Sequence, residues 1–268
     1  MTRVLQISDT HFGTEVPAVV GALCALHQAL RPDLVLLTGD ITQRATTEQF
    51  ERARRFVASL SGSRLIAVPG NHDIPLLNPL ARLFSPYRRY RRVFGAEGLY
   101  LYQDERLLLV GVNTVSRYRH KDGVITPRQV SQVSELLADA DREVVRVVAA
   151  HHPIHVIRAS DEANLLRGAD RAATGWADAG ADLVLGGHIH LPFVRPLRDR
   201  FADLSRDVWV VQAGTAVSSR TRDGAGNSVM LLIVPAASGG HRCTVQQWDY
   251  DAGSGAFQQH SALRIPLA

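Results

Sequence analysis

The most constraining feature of the sequence is a set of five short polar motifs, each of which follows a run of apolar residues. The runs are residues 4–7, 34–37, 65–68, 144–150 and 183–185. Runs of this kind, bounded by Gly, Pro or charged residues, are typical of strands that are covered on both faces. In open α/β sheets, functional residues lie at the carboxyl ends of the strands. We therefore expect five separate regions of the chain to deliver polar side chains to one edge of the fold.

Seven residues in these motifs are of types that bind metal ions. They are Asp9, His11, Asp40, Asn71, His151, His188 and His190. Asp and His favour Zn, Mn, Fe or Co, whereas an all-oxygen set would favour Mg or Ca. Seven ligands would crowd one ion, but two ions about 3.5–4 Å apart that share a carboxylate would use all of them. The motifs therefore predict two divalent metal ions, with Mn, Fe, Zn and Co as the possible metals.

The motifs occur in a characteristic order along the chain. They are Asp9-x-His11, Gly39-Asp40, Gly70-Asn71-His72-Asp73, His151-x-Pro153 and Gly187-His188-x-His190. This pattern, which extends from Val4 to about Gly214, resembles the calcineurin-like metallophosphoesterases, and within them the bacterial cyclic-nucleotide phosphodiesterases and glycerophosphodiesterases. The resemblance implies an α/β fold, a four-layer α-β-β-α sandwich in which two stacked mixed β-sheets are flanked by helices. It also implies a metal-dependent phosphoric ester hydrolase.

The resemblance assigns three residues to each metal ion and one carboxylate to both. Asp9, His11 and His190 would bind the first ion, Asn71, His151 and His188 would bind the second, and Asp40 would bridge the two. A single Asp or His after a strand is more often a turn or capping residue, because its side chain satisfies local backbone groups. Seven such residues in this order favour the metal centre instead.

Four residues are predicted to contact the substrate. The resemblance places His72 against the substrate phosphate, where it would stabilise charge or protonate the leaving group, and it places Asn71 beside it. His72 and Asp40 are thus the predicted catalytic residues. His152 adjoins the ligand His151 and is predicted to lie at the rim of the site or behind it. Arg88 is the fourth, for reasons given below.

The implied reaction is hydrolysis of a small phosphodiester, such as a 3′,5′-cyclic nucleotide, by in-line attack of a metal-bridging hydroxide. A phosphomonoesterase or a nuclease could use the same metal centre. A noncatalytic binding module of the same fold would be expected to have lost ligands, and none of the seven is missing. The net charge of +4 is compatible with an anionic substrate. A nuclease would be expected to have a long basic track, so a small phosphate ester is favoured over nucleic acid.

The segment Arg82–Phe94 combines arginines with an aromatic stripe. Ser85-Pro86 can start a helix, and the aromatic residues then recur at helical spacing. One interpretation is an amphipathic helix whose arginines are solvated. The other is a rim or lid beside the site, in which Arg88 binds the substrate phosphate, because guanidinium groups suit phosphate recognition.

Outside the motifs, the sequence predicts a single domain over residues 1–268, of which 46% are hydrophobic. Apolar spacing predicts helices near residues 16–30 and 50–60, and Thr126-Pro127 starts a third with a capping box. From about residue 192, short strands without strong helices between them predict a second, mostly antiparallel sheet.

The expected location is the cytoplasm. Residues 1–3 lead directly into the first strand, which leaves no room for a signal peptide, and no apolar run approaches about 18 residues, so no membrane partner is expected. Cys24 and Cys243 lie outside the motifs, and no disulfide is predicted. No site role is predicted for His27, His241 or His260. The sequence does not indicate an oligomeric state.

Overall fold

The computed structural model describes residues 1–141, 143–222, 224–236 and 242–267, so His241 lies outside the described residues. The strands are β1 (Thr2–Ile7), β2 (Leu34–Thr38), β3 (Arg64–Val68), β4 (Leu99–Gln103), β5 (Leu107–Val112), β6 (Val145–Ala149), β7 (Leu183–Gly186), β8 (Phe193–Pro196), β9 (Trp209–Gln212), β10 (Ser228–Val234), β11 (Arg242–Asp251) and β12 (Ala256–Pro266). The α-helices are α1 (Pro17–Leu30), α2 (Thr47–Ser59), α3 (Pro79–Phe84), α4 (Arg88–Phe94), α5 (Pro127–Ala138) and α6 (Ala169–Asp178). Short 3₁₀ helices cover Asn71–Asp73, Ala159–Asn164 and Leu197–Asp199.

The strands form two mixed six-stranded sheets. The order is β12-β11-β10-β1-β2-β3 in the first sheet and β4-β5-β6-β7-β9-β8 in the second. Strands β1, β2 and β3 are parallel, as are β5, β6, β7 and β9, while antiparallel strands complete the edges. All the strands that precede the five motifs therefore belong to the parallel parts of the sheets.

Three apolar cores separate four layers. The central core lies between the two sheets and contains Leu36 from the first sheet with Leu109 and Val147 from the second. The first sheet packs its outer face on α1, α2 and α4, and the second sheet packs on α5 and α6. The predicted α-β-β-α sandwich of two stacked sheets flanked by helices is confirmed. None of the helices in the described ranges is long and apolar enough to span a membrane.

The predicted start of a helix agrees best with the structure where the sequence contains a capping pattern. Oγ1 of Thr126 accepts the backbone N–H of Gln129, and Oε1 of Gln129 accepts the backbone N–H of Thr126 in return. Pro127 follows the cap at the first helical position, where its missing N–H costs nothing. Helix α5 therefore begins where the sequence predicted.

The prediction of a separate antiparallel sheet after residue 192 is wrong. Strand β9 pairs in parallel with β7, and β8 pairs with β9 at the edge of the second sheet. Strand β10 instead pairs antiparallel with β1, so that β10, β11 and β12 belong to the first sheet. The physical reason is that β1 and β7 each have an unpaired side that needs hydrogen-bonding partners. Apolar alternation identifies a strand but not the edge that it joins.

The segment Arg82–Phe94 is not one helix. Helix α3 begins after Asn78, whose side chain accepts the N–H of Ala81, and a turn separates it from α4. Tyr90 of α4 is fully buried against α2, but Phe84 is 77% exposed. The predicted aromatic stripe is therefore incomplete.

Candidate metal centre

The two sheets bring their motif-bearing strand ends together at one edge. Asp9, Asp40 and Asn71 follow β1, β2 and β3 of the first sheet, and His151 and His188 follow β6 and β7 of the second. Backbone hydrogen bonds join neighbouring motifs. The N–H of Asp9 donates to the carbonyl oxygen of Gly39, and the N–H of Gly187 donates to the carbonyl oxygen of His151. The predicted convergence of five regions of the chain is confirmed.

Five of the seven predicted ligands have left-handed backbone conformations. They are Asp9, His11, Asp40, His188 and His190, with φ between 41° and 75°. Residues other than glycine rarely adopt this backbone conformation, because it costs about 1–2 kcal/mol per residue. Such conformations persist where the surrounding structure imposes them, and they concentrate at functional sites. The strand ends are thus bent sharply so that the polar side chains point to a common space.

The first ligand cluster consists of Asp9, His11 and His190. Nε2 of His190 lies 3.1 Å from both Oδ1 of Asp9 and Nε2 of His11. Nδ1 of His190 is 2.7 Å from the carbonyl oxygen of Arg220, which can only accept, so Nδ1 carries the proton of the neutral ring. The three atoms therefore face one another with lone pairs, an arrangement that a cation stabilises.

The second ligand cluster consists of Asn71, His151 and His188. Nε2 of His151 lies 3.2 Å from Oδ1 of Asn71, and its Nδ1 is 2.8 Å from the carbonyl oxygen of Thr38, which again fixes the tautomer. The His188 ring packs 5.1 Å from that of His151, measured between centroids. Its Nδ1 is buried and has no hydrogen-bond partner among the described residues.

The carboxylate of Asp40 lies between the two clusters. Its Oδ1 is 3.3 Å from Nε2 of His151, and its Oδ2 is 3.8 Å from Nε2 of His11. One oxygen thus faces each cluster, an arrangement in which a carboxylate can bridge two ions.

These donors fit two divalent ions. Ligands of one ion, held at roughly 2.0–2.2 Å from it, lie about 3 Å apart. The distances of 3.1 Å from His190 to Asp9 and His11, and of 3.2 Å from His151 to Asn71, match this spacing. Oδ1 of Asp9 is buried without a hydrogen-bond donor in the described part of the chain, and a metal ion would satisfy it. The backbone carbonyls of Thr38 and Arg220 orient the rings of His151 and His190, and contacts of this kind are typical of metal sites.

The electrostatics of the metal-free protein also favour cation binding. Burial raises the pKa of Asp9, but His190 and other neighbours outweigh it and lower that pKa to about 2. Burial likewise opposes ionisation of Asp40, yet the adjacent histidines hold its pKa well below the ordinary value. Burial lowers the pKa of His11 and of His188 to about 3. At His11 and His188, neutral imidazoles therefore lie beside ionised carboxylates, which is the protonation state that metal ligands need.

His72 lies at the mouth of this centre rather than inside it. Its backbone N–H donates to Oδ1 of Asp40 at 2.8 Å, and its Nδ1 donates to the carbonyl oxygen of Gln43 at 2.9 Å. Nε2 therefore faces a cavity of about 400 Å³ that is also lined by Asp40 and Arg220. This position suits the predicted contact between His72 and a substrate phosphate.

The other two predicted substrate contacts are placed differently. His152 is buried, with Nδ1 2.8 Å from Oγ1 of Thr114 and Nε2 3.0 Å from the carbonyl oxygen of Lys121. Both ring nitrogens are engaged, so His152 anchors the segment around Lys121 and has no free nitrogen for a substrate. Arg88 lines a neighbouring cavity with Ser85 and Pro86, outside the one that contains His72, because the turn before α4 carries it away.

Sequence reasoning assigned no role to three residues of the site. Asp73 is buried and accepts backbone N–H groups of Ile41, Thr42 and Gly70, which fixes the loop that carries Asn71. Gln43 and Arg220 meet at the mouth of the cavity, where Nη1 of Arg220 donates to Oε1 of Gln43 at 3.0 Å. The strand-end rule could have indicated Arg220, because its loop follows the parallel strand β9.

A family model described as calcineurin-like phosphoesterase matches residues 2–192. The chain belongs to the calcineurin-like phosphoesterase family. It is a metal-dependent phosphoric ester hydrolase by that membership, as the motifs predicted.

Relatives agree with the predicted branch of the family. The chain is 28% identical over 256 residues to a cAMP/cGMP dual specificity phosphodiesterase of Mycobacterium tuberculosis, covering 87% of this chain and 76% of the relative. It is 26% identical over 201 residues to a probable glycerophosphodiester phosphodiesterase of Arcobacter nitrofigilis, covering 70% and 71% of the two chains. The fold is similar to that of a purple acid phosphatase from yellow lupin, with a TM-score of 0.74, 13% identity, and coverage of 99% of this chain and 53% of the lupin chain.

Proposed function

We propose that the protein hydrolyses a small phosphodiester with two divalent metal ions, and that a 3′,5′-cyclic nucleotide is the first substrate to test. The observation that carries this proposal is the position of Asp40, with one carboxylate oxygen toward each ligand cluster. A single-ion site would not need one carboxylate to face both clusters. The names of the two relatives support a diester substrate.

In this proposal Asp9, His11 and His190 hold one ion, and Asn71, His151 and His188 hold the other. Mn, Fe, Zn and Co all suit a mixed histidine and carboxylate set. When bound, two such ions would lower the pKa of a water molecule toward neutrality and polarise the phosphate oxygens. Asp40 would bind both ions and so fix the two clusters relative to each other.

His72 would act on the substrate itself. Its Nδ1 is bound to the carbonyl oxygen of Gln43, so only Nε2 is available to the substrate. When the ring carries a proton on both nitrogens, Nε2 can donate to a phosphate oxygen or to the oxygen of the departing alcohol, where negative charge develops during hydrolysis. The side chain is 20% exposed, so a substrate can reach it without a rearrangement.

A small substrate fits the observed cavity. Its volume of about 400 Å³ is at the lower end of the range for small-molecule sites. The arginines of α4 line other cavities, so they do not extend the site into a basic track for nucleic acid.

The test is a turnover panel on protein that has been stripped of metal and reconstituted with Mn, Fe, Zn or Co. The panel compares cyclic mononucleotides, glycerophosphodiesters, nucleic acid and phosphomonoesters. We expect the highest kcat/KM for a small diester. A preference for monoesters would contradict the proposal and favour a phosphatase with the same centre.

A further inference from the structure

The guanidinium group of Arg220 lies beside the first ligand cluster and faces the same space as His72. Its Nη1 is 3.3 Å from Nδ1 of His11 and 3.5 Å from Nε2 of His72. In the described ranges, no carboxylate forms an ion pair with Arg220, whereas the nearby Arg222 pairs with Asp161 at 2.9 Å. The guanidinium group of Arg220 therefore lines the cavity without a carboxylate partner in an ion pair among the described residues.

The contact between Arg220 and His11 cannot be a stable hydrogen bond in a loaded centre. Nε2 of His11 faces Asp9 and Asp40, so Nε2 is the ligand atom and Nδ1 carries the proton of the neutral ring. Nη1 of Arg220 is also a donor. Oε1 of Gln43 accepts one proton of Nη1, but His11 has no acceptor for the proton of Nη1 that faces it. An anionic oxygen placed between the two donors, which lie 3.3 Å apart, would accept from both.

We infer that Arg220 binds a non-bridging oxygen of the substrate phosphate, next to His72. This inference rests on the proposed function, because it assigns a further contact within the same site. Guanidinium groups form strong charge-assisted hydrogen bonds with phosphate oxygens. Hydrolysis of a diester yields a monoester with greater negative charge, so Arg220 should bind the product or inorganic phosphate more strongly than the substrate.

The main chain around Arg220 is held independently of its side chain. Its carbonyl oxygen accepts from Nδ1 of His190 at 2.7 Å, and its N–H donates to Oγ of Ser218 at 2.9 Å. Replacing the side chain therefore removes the guanidinium but leaves the backbone contact that orients His190. A substitution at this position can separate phosphate binding from metal binding.

Gln43 is the positioning residue for this contact. Its carbonyl oxygen accepts from Nδ1 of His72, and its side-chain oxygen accepts from Nη1 of Arg220 at 3.0 Å. Removing the Gln43 side chain should release the guanidinium without freeing His72. The effects of changing Gln43 and Arg220 should therefore be less than additive, as for residues that act through one contact.

The experiment titrates inorganic phosphate into the metal-loaded wild type and variants by calorimetry, with metal content measured by elemental analysis. We expect Arg220→Ala to weaken phosphate binding by about 10- to 100-fold while both metal ions are retained. Arg220→Lys should recover part of the loss, and Gln43→Ala should add little to Arg220→Ala. Arg171→Ala removes the same charge from an exposed position on α6 and serves as the matched control.

Several outcomes would overturn the inference. An unchanged phosphate Kd in Arg220→Ala with both ions bound would exclude the contact, and loss of metal in that variant would mean that the arginine acts through the ligands instead. If Arg220→Ala does not fold, Arg220→Lys and Gln43→Ala replace it in the titration. Unchanged phosphate binding in both of these variants would overturn the inference. A wild type that binds phosphate but hydrolyses no ester would overturn the proposed function alone, and the phosphate comparison would still decide the role of Arg220.

Discussion

Oδ1 of Asp40 lies 3.3 Å from Nε2 of His151, and this pair links proton binding to metal binding in the second ligand cluster. Burial lowers the pKa of His151, but Asp40 and Asp9 outweigh it and raise the pKa to about 9 in the metal-free protein. A histidine must lose its proton before it can bind a metal ion. The Asp40 carboxylate therefore favours cation binding, but it also stabilises a proton on His151 that competes with the metal ion.

The first prediction is that metal affinity rises with pH up to about 9. Below that pH an ion must displace the proton of His151, which costs about tenfold in affinity for each pH unit per proton released. The stability of the metal-free protein depends on pH in the opposite direction. The folded-state pKa of His151, about 9, lies above its ordinary value of 6.5, so this histidine stabilises the fold most below pH 6.5. That contribution is lost as the pH rises from 6.5 to 9. Calorimetric titration in buffers of different ionisation enthalpy counts the protons released, and a pH-independent affinity would contradict the prediction.

Replacing Asp40 by Ala should remove the link between the two clusters. We expect fewer than two ions per chain and a loss of turnover greater than about 100-fold, which exceeds the usual effect of residues that only orient ligands. Asp40→Asn, which keeps the shape but loses the charge, should retain more metal than Asp40→Ala. Elemental analysis and initial rates measure both quantities. Full activity with two ions bound to Asp40→Ala would rule out a bridging role.

His72→Ala should separate chemistry from metal binding. Its Nε2 faces the cavity but belongs to neither ligand cluster, so we expect both ions to remain while kcat falls by about 10²- to 10⁴-fold, the range for a proton-transfer residue. His260→Ala is the control, because His260 is an exposed histidine on β12. An unchanged kcat in His72→Ala would show that this residue takes no part in the reaction.

The convergence of the seven predicted ligands could be predicted from the sequence because its signals are local. Each motif lies directly after the strand that positions it, so reading the strand also locates the ligand, as for Asp9 after β1 and His188 after β7. Parallel pairing then brings the strand ends to one edge. The fold class follows from the same strands and from the helices between them.

The mouth of the site could not be predicted in this way. Arg220 reaches His72 only because β9 joins the second sheet beside β7, and that pairing depends on tertiary structure. The sequence offered Arg88 as a candidate contact instead, but the chain turns between α3 and α4, and Arg88 lines other cavities. Local periodicity identifies helices and strands, but it does not specify the turns that orient exposed side chains.

Arg82 and Arg88 should respond differently to substitution. The buried Arg82 donates from its guanidinium to the carbonyl oxygens of Pro75, Ser116, Arg117 and Arg119. We expect Arg82→Ala to lower the free energy of unfolding by about 1–3 kcal/mol, because these carbonyls lose their donors. Arg88→Ala should leave both stability and KM unchanged within about twofold, as for most surface substitutions. Urea unfolding and steady-state kinetics test the pair, and an increased KM in Arg88→Ala would restore the interpretation of α4 as a rim of the site.

Gly70 and Gly21 provide a matched test of how tightly the motif loops pack. A Cβ at Gly70 would overlap the backbone nitrogen and the carboxylate of Asp40, whereas a Cβ at Gly21, on α1, would meet nothing within 4 Å. We expect Gly70→Ala to destabilise the metal-free protein by about 3 kcal/mol and to lose metal, because backbone atoms at Asp40 must move. Gly21→Ala should stabilise it by about 0.5–1 kcal/mol, since alanine loses less conformational freedom in a helix. Urea unfolding in the presence of a chelator, followed by metal titration, measures both effects. If Gly70→Ala retained wild-type stability and two ions, the close approach of the loops that carry Asp40 and Asn71 would not be needed for the centre.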